Sequence, residues 1–175
     1  MAPLRILQEP SRTLRKGAKA VPLAEINSPA VKKLLKEMSE ILRATKMGIG
    51  LAAPQVGKSL RIFIVSEEAL RGKTSEKRKE EWKHLVFINP RIIKSSKKRN
   101  FLTEGCLSVS DPGGRLVFGK IKRFDKVAIE AWDETGRKFR RGASGLFAQA
   151  LQHETDHLDG ILFTDKAEEI HRLDL

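Results

Sequence analysis

Gln152-His153-Glu154-Thr155-Asp156-His157-Leu158-Asp159-Gly160 is the stretch around which the chain can be read. Side chains four residues apart on a helix share a face, so His153 and His157 project together. Two neutral imidazoles at that spacing can grip one divalent ion, and the glutamate between them can lie beside water on that ion. The segment itself reads as helix. Leu146, Ala150, His153 and His157 fall on one stripe, Ser144 is placed to cap its start, and Gly160 is placed to end it. Two unrelated histidines on a helix is the plainer alternative. Only four histidines occur in the chain, however, and their chance arrival as H-E-x-x-H is rare.

The wider composition sets bounds on what that helix can belong to. A chain of 175 residues is most simply a single domain over 1–175, large enough to bury a core without disulfide staples. No apolar run approaches the length of a membrane span, and the N-terminus lacks the apolar core of a secretory signal. A lone cysteine cannot make an intramolecular disulfide and suits a reducing compartment. These features together lead to the expectation of a soluble, cytoplasmic protein. The net charge of +12 is the compositional oddity, with lysine and arginine concentrated in residues 73–83, 94–99 and 120–123. A solubilising face accounts for much of it, and non-specific attraction to ribosomal RNA is the functional alternative. Aromatic residues are few and tyrosine is absent, so neither a base-stacking platform nor a DNA partner is expected.

Residues 4–7 form a short apolar segment. Ser28 caps a helix that starts at Pro29 and carries Val31, Leu34, Leu35, Met38, Ile41 and Leu42 at helical spacing, ending before Gly48. Gly48-Ile49-Gly50-Leu51-Ala52-Ala53-Pro54-Gln55 has small residues that let a ligand or another chain approach the backbone, or that pack a tight turn. The amide of Gln55 could donate to an oxygen. Residues 60–65 read as a strand, 66–84 as a charged surface excursion with a short solvated helix over 76–83, and 85–89 as a second strand. A third short strand over 91–94 follows Pro90, then a basic turn. Residues 101–109 look extended and carry Cys106, which alone would pass for a small buried apolar residue. Beside two histidines that lack a third ligand, it gains a second meaning. Residues 111–114 are turn chemistry, and Asp133-Glu134-Thr135-Gly136 between 126–131 and 137–140 marks a hairpin. Short strands plus two helices give an α+β fold, with a polar tail after Phe163.

Three stretches, G-I-G-L-A-A-P-Q, E-G-C-L-S and Q-H-E-T-D-H-L-D-G, occur in an order that closely resembles the three signature motifs of peptide deformylases. The resemblance runs from residues 4–7 through Phe163. It implies removal of the formyl group from the N-terminal formylmethionine of nascent polypeptides. It also implies antiparallel β-sheets packed around a central helix that carries H-E-x-x-H, with one further N-terminal helix. The chemistry of the residues agrees. Cys106, His153 and His157 would supply three metal ligands and leave a fourth position for water, with Glu154 as general base and acid. By resemblance, Gln55 and the backbone N–H of Leu107 would hold the developing oxyanion, and Gly50 would lend its backbone to the substrate. Ile49, Leu146 and Ala150, with His153, would border the methionine side chain. Glu104 and Asp156 would orient ligands or pair with a cation such as Arg123; both roles stay open. A thiolate ligand suits Fe, Co, Ni or Zn and disfavours Mg or Ca. The resemblance implies Fe2+ in the cell, with Zn2+, Ni2+ or Co2+ able to replace it.

The chain also departs from that pattern. Ser110 stands where proline is usual, the connection over 111–119 is longer, Phe118 replaces a common arginine, and Gln149 replaces an apolar residue. The long C-terminal helix by which some bacterial members dock on the ribosome has no counterpart, so any ribosome contact would fall to the basic surface. Two other readings compete. One is a peptidase using H-E-x-x-H, which more often takes histidine or glutamate as third ligand. The other is a basic RNA-binding protein with a structural metal, for which a fourth protein ligand would be expected.

Overall fold

The computed structural model describes residues 4–45, 48–71 and 82–172. The helix expected over 76–83 and most of the basic run 73–83 lie outside the described residues. Eight strands and two α-helices make up the remainder: α1 (Pro29–Ala44), β1 (Gly50–Ala52), β2 (Ile62–Ser66), β3 (His84–Ser95), β4 (Arg99–Ser110), β5 (Leu116–Phe124), β6 (Lys126–Trp132), β7 (Lys138–Ser144), α2 (Gly145–Leu158) and β8 (Glu169–Arg172). They form a five-stranded antiparallel sheet in the order β1-β2-β3-β6-β7 and a three-stranded one in the order β4-β5-β8. The α+β expectation, with α2 central and α1 N-terminal, is met. Among the described residues no helix is long and apolar enough to cross a membrane.

Alternation along β2 explains the layering. All five of its residues are buried, because each face of the larger sheet is covered. Ile62 and Ile64 join Leu34, Leu35, Met38 and Leu42 of α1 in one apolar cluster. Phe63 and Val65 join Phe87 of β3 and Phe147, Leu151 and Leu158 of α2 in another. A third cluster, with Leu14, Cys106, Val109, Ile121 and Phe163, lies under the smaller sheet. α2 therefore has its apolar stripe on the large sheet and its histidine-bearing side toward β4 and β5.

Several elements differ from their expected form. The two strands expected at 85–89 and 91–94 are one strand, β3, which passes Pro90 by a register shift between Ile88 and Arg91. Proline lacks a donor, and a bulge is where a strand can tolerate that. Asn89, at φ 49, ties this bulge to the N-terminal segment: its side-chain oxygen accepts from the backbone N–H of Val21 and its side-chain nitrogen donates to the Val21 carbonyl, both at 2.8 Å. Residues 50–52, which also read as a turn, pair with β2 as an edge strand. The polar tail contributes β8, whose four residues are too few to show alternation. Ser144 ends β7 and makes no side-chain cap bond, because the chain enters α2 through Gly145 at φ +56.

The other end of α2 is held as expected, and firmly. Ile161 N–H donates to the carbonyl of Asp156 at 2.9 Å and Gly160 N–H to that of His157 at 3.2 Å, the Schellman pattern. Gly160 has φ +75, and a Cβ there would come within 2.9 Å of the Arg15 carbonyl carbon. Gly160→Ala should therefore destabilise the protein by about 2 kcal/mol, from the left-handed backbone plus the forced shift. A urea midpoint equal to that of the unaltered chain would show that this helix end is not held as described.

Candidate metal centre and active site

Alternation in β4 decides which side chains enter the site. Glu104 and Cys106 point inward and are buried, whereas Arg99, Phe101 and Thr103 point outward and are exposed. Opposite them, α2 presents His153 and His157 one turn apart. The ligand atoms of Cys106, His153 and His157 all lie within 4.8 Å of one another, and Cys106 Sγ is 3.2 Å from His157 Nε2. Donors placed about 2.0–2.3 Å from a tetrahedral ion stand about 3.3–3.8 Å apart, so a small adjustment would bring the three onto one ion. No fourth histidine, cysteine or carboxylate joins this cluster among the described residues. The donor set is that of an open site.

Electrostatics point the same way. Glu104 Oε2 lies 3.0 Å from His153 Nδ1, which leaves Nε2 of that ring for the ion. Arg123 grips Glu104 with two bonds of 2.8 Å, and its remaining nitrogen donates to Asp156 Oδ2 at 2.6 Å. Lys166 closes the chain on Asp156 Oδ1 at 2.7 Å. Burial works against the Glu104 charge, but Arg123 and then His153 outweigh it and hold its carboxyl down at about 2. Burial also opposes charge on His153, yet Cys106 and Glu104 together push its pKa well above the usual value. His157 is driven the other way by burial and by the charge of His153, which keeps it a neutral imidazole. The sulfur of Cys106 and the carboxylate of Glu104 thus favour positive charge on the ring between them, a setting that would also suit a bound cation.

Of the acidic pair, Glu104 contacts both His153 and Arg123, whereas Asp156 meets this network through Arg123.

Glu154 is buried on the same turn of α2, and burial raises its pKa to about 7. Its Oε2 and His157 Nδ1 are buried atoms without a hydrogen-bond partner. Gly50 lets the carboxylate come this close: a Cβ on Gly50 would sit 2.4 Å from Glu154 Oε1. Gln55 belongs to the 3-10 turn Ala53–Val56 that follows β1. Its Oε1 accepts from Ala52 N–H at 2.8 Å, so its amide nitrogen faces the site, 3.2 Å from Ser108 Oγ and 3.7 Å from Cys106 Sγ. Leu107 lies between Gly105 and Ser110, where the pairing of β4 with β5 lapses. Its carbonyl is taken by Gln8 Nε2 at 2.7 Å.

These groups line a cavity of about 230 Å³, and Ile49, Gly50, Leu146 and Ala150 are all in its wall. Thr103, Leu116 and Phe118 line it too; the last two belong to the 111–119 connection, which the resemblance puts near the substrate's second and third side chains. No motif marks them; Phe118 arrives because the β4–β5 register sets it opposite Gly105. Gln149, where an apolar residue is more usual, donates from Nε2 to Thr103 O at 2.8 Å and ties α2 to the outer part of β4. The longer connection over 111–119 is braced by Asp111, which accepts from Gly113 and Arg115 N–H at 2.8 and 3.0 Å. Asp159 is exposed and pairs with Arg61 at 2.8 Å, and His84, which closes the expected 66–84 excursion, opens β3 instead.

Comparison with known proteins agrees with this geometry. The sequence pattern of the Polypeptide deformylase family matches residues 3–173. The peptide deformylase of Symbiobacterium thermophilum is 43% identical over 95% of this chain and 67% of its own length. That of Dehalococcoides mccartyi is 40% identical over 96% of this chain and 88% of its own. Among solved structures, the Plasmodium falciparum peptide deformylase superposes with a TM-score of 0.77 at 37% identity, covering 93% of this chain and 86% of that one. A Met-Ala-Ser-bound class I type b peptide deformylase from Acinetobacter baumannii gives 0.78 at 28% identity, covering 94% and 98%. With motifs, site geometry and near full-length similarity in agreement, the chain belongs to the polypeptide deformylase family.

Proposed function

We propose that this cavity binds the formylated N-terminus of a newly made polypeptide and hydrolyses the formyl amide, with Cys106, His153 and His157 holding the metal. The observation that carries this reading is the three-donor cluster with a buried, unpartnered glutamate oxygen beside it. When bound, a divalent cation acidifies water and polarises the formyl carbonyl. Glu154 takes the proton of the attacking water and delivers it to the amine as the carbon–nitrogen bond breaks, leaving formate and a free N-terminus. A carboxyl poised near neutrality by burial suits both halves of that task. The amide nitrogen of Gln55 and the N–H of Leu107 donate to the oxygen on which charge develops, a kind of contact worth about a hundredfold in rate or more.

Substrate recognition follows from the same walls. β1 is an edge strand, so Gly50 can offer backbone bonds to an extended peptide. Ile49, Leu146 and Ala150 supply an apolar border for the methionine side chain, with His153 beside it. A Met-Ala-Ser tripeptide bound to the Acinetobacter baumannii relative is the occupant this shape would suit. The resident metal is proposed to be Fe2+, which a thiolate with two imidazoles suits, with Zn2+, Ni2+ or Co2+ able to substitute. The compartment is proposed to be the cytoplasm, where a basic surface would also meet ribosomal RNA.

Two substitutions separate the roles. Glu154→Ala should keep its metal while formate release from formyl-Met-Ala-Ser drops by about 10²–10⁴-fold; turnover within a few-fold of the unaltered enzyme would remove Glu154 from the proton transfer. Cys106→Ser should lose metal when both proteins are dialysed against the same weak chelator and analysed by atomic emission. Equal metal content with full activity would show that the thiolate is not a ligand.

A further inference from the structure

The smaller sheet has a second face that the hydrolytic site does not use. Register places Arg99, Phe101 and Thr103 of β4 opposite Phe124, Lys122 and Lys120 of β5, with Phe118 continuing the row beside the cavity. Residues opposite one another share a face, so this outer surface interleaves cations with phenylalanines. Phe101 is 50% exposed, with Lys122 Nζ 5.4 Å from its ring centroid, and the Arg99 guanidinium lies 4.1 Å from the centroid of Phe124. Lys97 and Lys98 extend the charge into the β3–β4 turn. The acid on this face, Glu169 of β8, is 2.9 Å from Lys120 and 3.3 Å from His171. Asp125, at the β5–β6 corner, accepts from Asn100. Among the described residues no carboxylate pairs with Lys97, Lys98, Arg99 or Lys122.

A purely solubilising face has no use for an exposed phenylalanine, which works against solubility. Cations that meet phosphates, set beside rings on which bases can stack, make a surface for single-stranded nucleic acid. The scarcity of aromatic residues in the sequence argued against such a platform, but strand pairing sets one exposed phenylalanine, Phe101, among these cations, with half-buried Phe118 and Phe124 at the two ends of the row. We propose that the outer face of β4–β5, centred on Arg99, Phe101, Lys120 and Lys122, binds single-stranded RNA. Its position gives the contact a use that rests on the proposed activity. Thr103 and Phe118 belong both to this face and to the cavity wall, so RNA held here would bring the cavity to chains still at the ribosome. The RNA contact itself does not depend on that activity.

The test uses the full, metal-loaded chain and a fluorescently labelled twelve-nucleotide oligouridylate, followed by anisotropy across a salt series. Phe101→Ala should weaken binding about tenfold through lost stacking. Lys122→Gln should make the slope of log affinity against log salt shallower by about 0.7, one phosphate contact on a single strand. Both variants should release formate from formyl-Met-Ala-Ser at the unaltered rate, so failure of this surface is distinguishable from failure of the site. Three results would overturn the proposal: affinity unmoved by Phe101→Ala, polyglutamate or anionic vesicles bound as tightly as the oligonucleotide, or formate release falling while RNA affinity is unchanged.

Discussion

A buried guanidinium fixes the geometry of the whole centre. Arg123 comes from β5, Glu104 from β4 and His153 from α2, and two shared contacts lock them: the paired 2.8 Å bonds to Glu104 and the 3.0 Å approach of Glu104 to the imidazole. Both charged partners are almost completely removed from water, at 5% exposure each. Such a pair is dangerous when broken, because the survivor becomes an unpaired buried charge at a cost of roughly 3–5 kcal/mol. The smaller sheet is thereby held against the helix at the position where Cys106 meets the two histidines. Asp156 and Lys166 extend the network toward solvent, so the guanidinium has a carboxylate on either side.

β4 shows how a single strand can serve two purposes through its alternation. Its inward residues bring a carboxylate and a thiol to the helix, and its outward residues stay in water. The lapse in pairing between Gly105 and Ser110 falls at Leu107, beside Cys106. Interrupted ladders are common next to active sites because they leave backbone groups free to serve another partner. The same irregularity that would weaken an ordinary sheet would therefore suit the proposed role of the Leu107 N–H.

How much of this the sequence reveals depends on whether the signal is local. His153 and His157 are legible because helical periodicity fixes their relation, and the hairpin at residues 133–136 is legible from its turn residues. Cys106 is less so: its inclusion follows from two imidazoles needing a third donor, and from family resemblance. Arg123 could be named as a partner but not assigned, because the choice between Glu104 and Asp156 depends on a rotamer that reaches both. Leu116 and Phe118 are legible only through the family resemblance of the 111–119 connection; β-sheet register sets Phe118 opposite Gly105 at the cavity. Pro90 misled in the opposite direction, since a breaker in sequence falls at a register shift where the strand tolerates it, with the neighbouring Asn89 anchored to Val21.

The glycine at position 50 joins these levels. A strand residue without a side chain costs stability, and an edge strand three residues long has little to spare. What the missing Cβ permits is the close approach of Glu154, whose carboxylate would otherwise collide with β1. Brought that near, the carboxylate is stripped of water, and burial moves its proton affinity into the neutral range. One absent methyl group thus makes room for Glu154 and for its burial, while leaving the backbone of the edge strand bare at the place where the proposed peptide would pair.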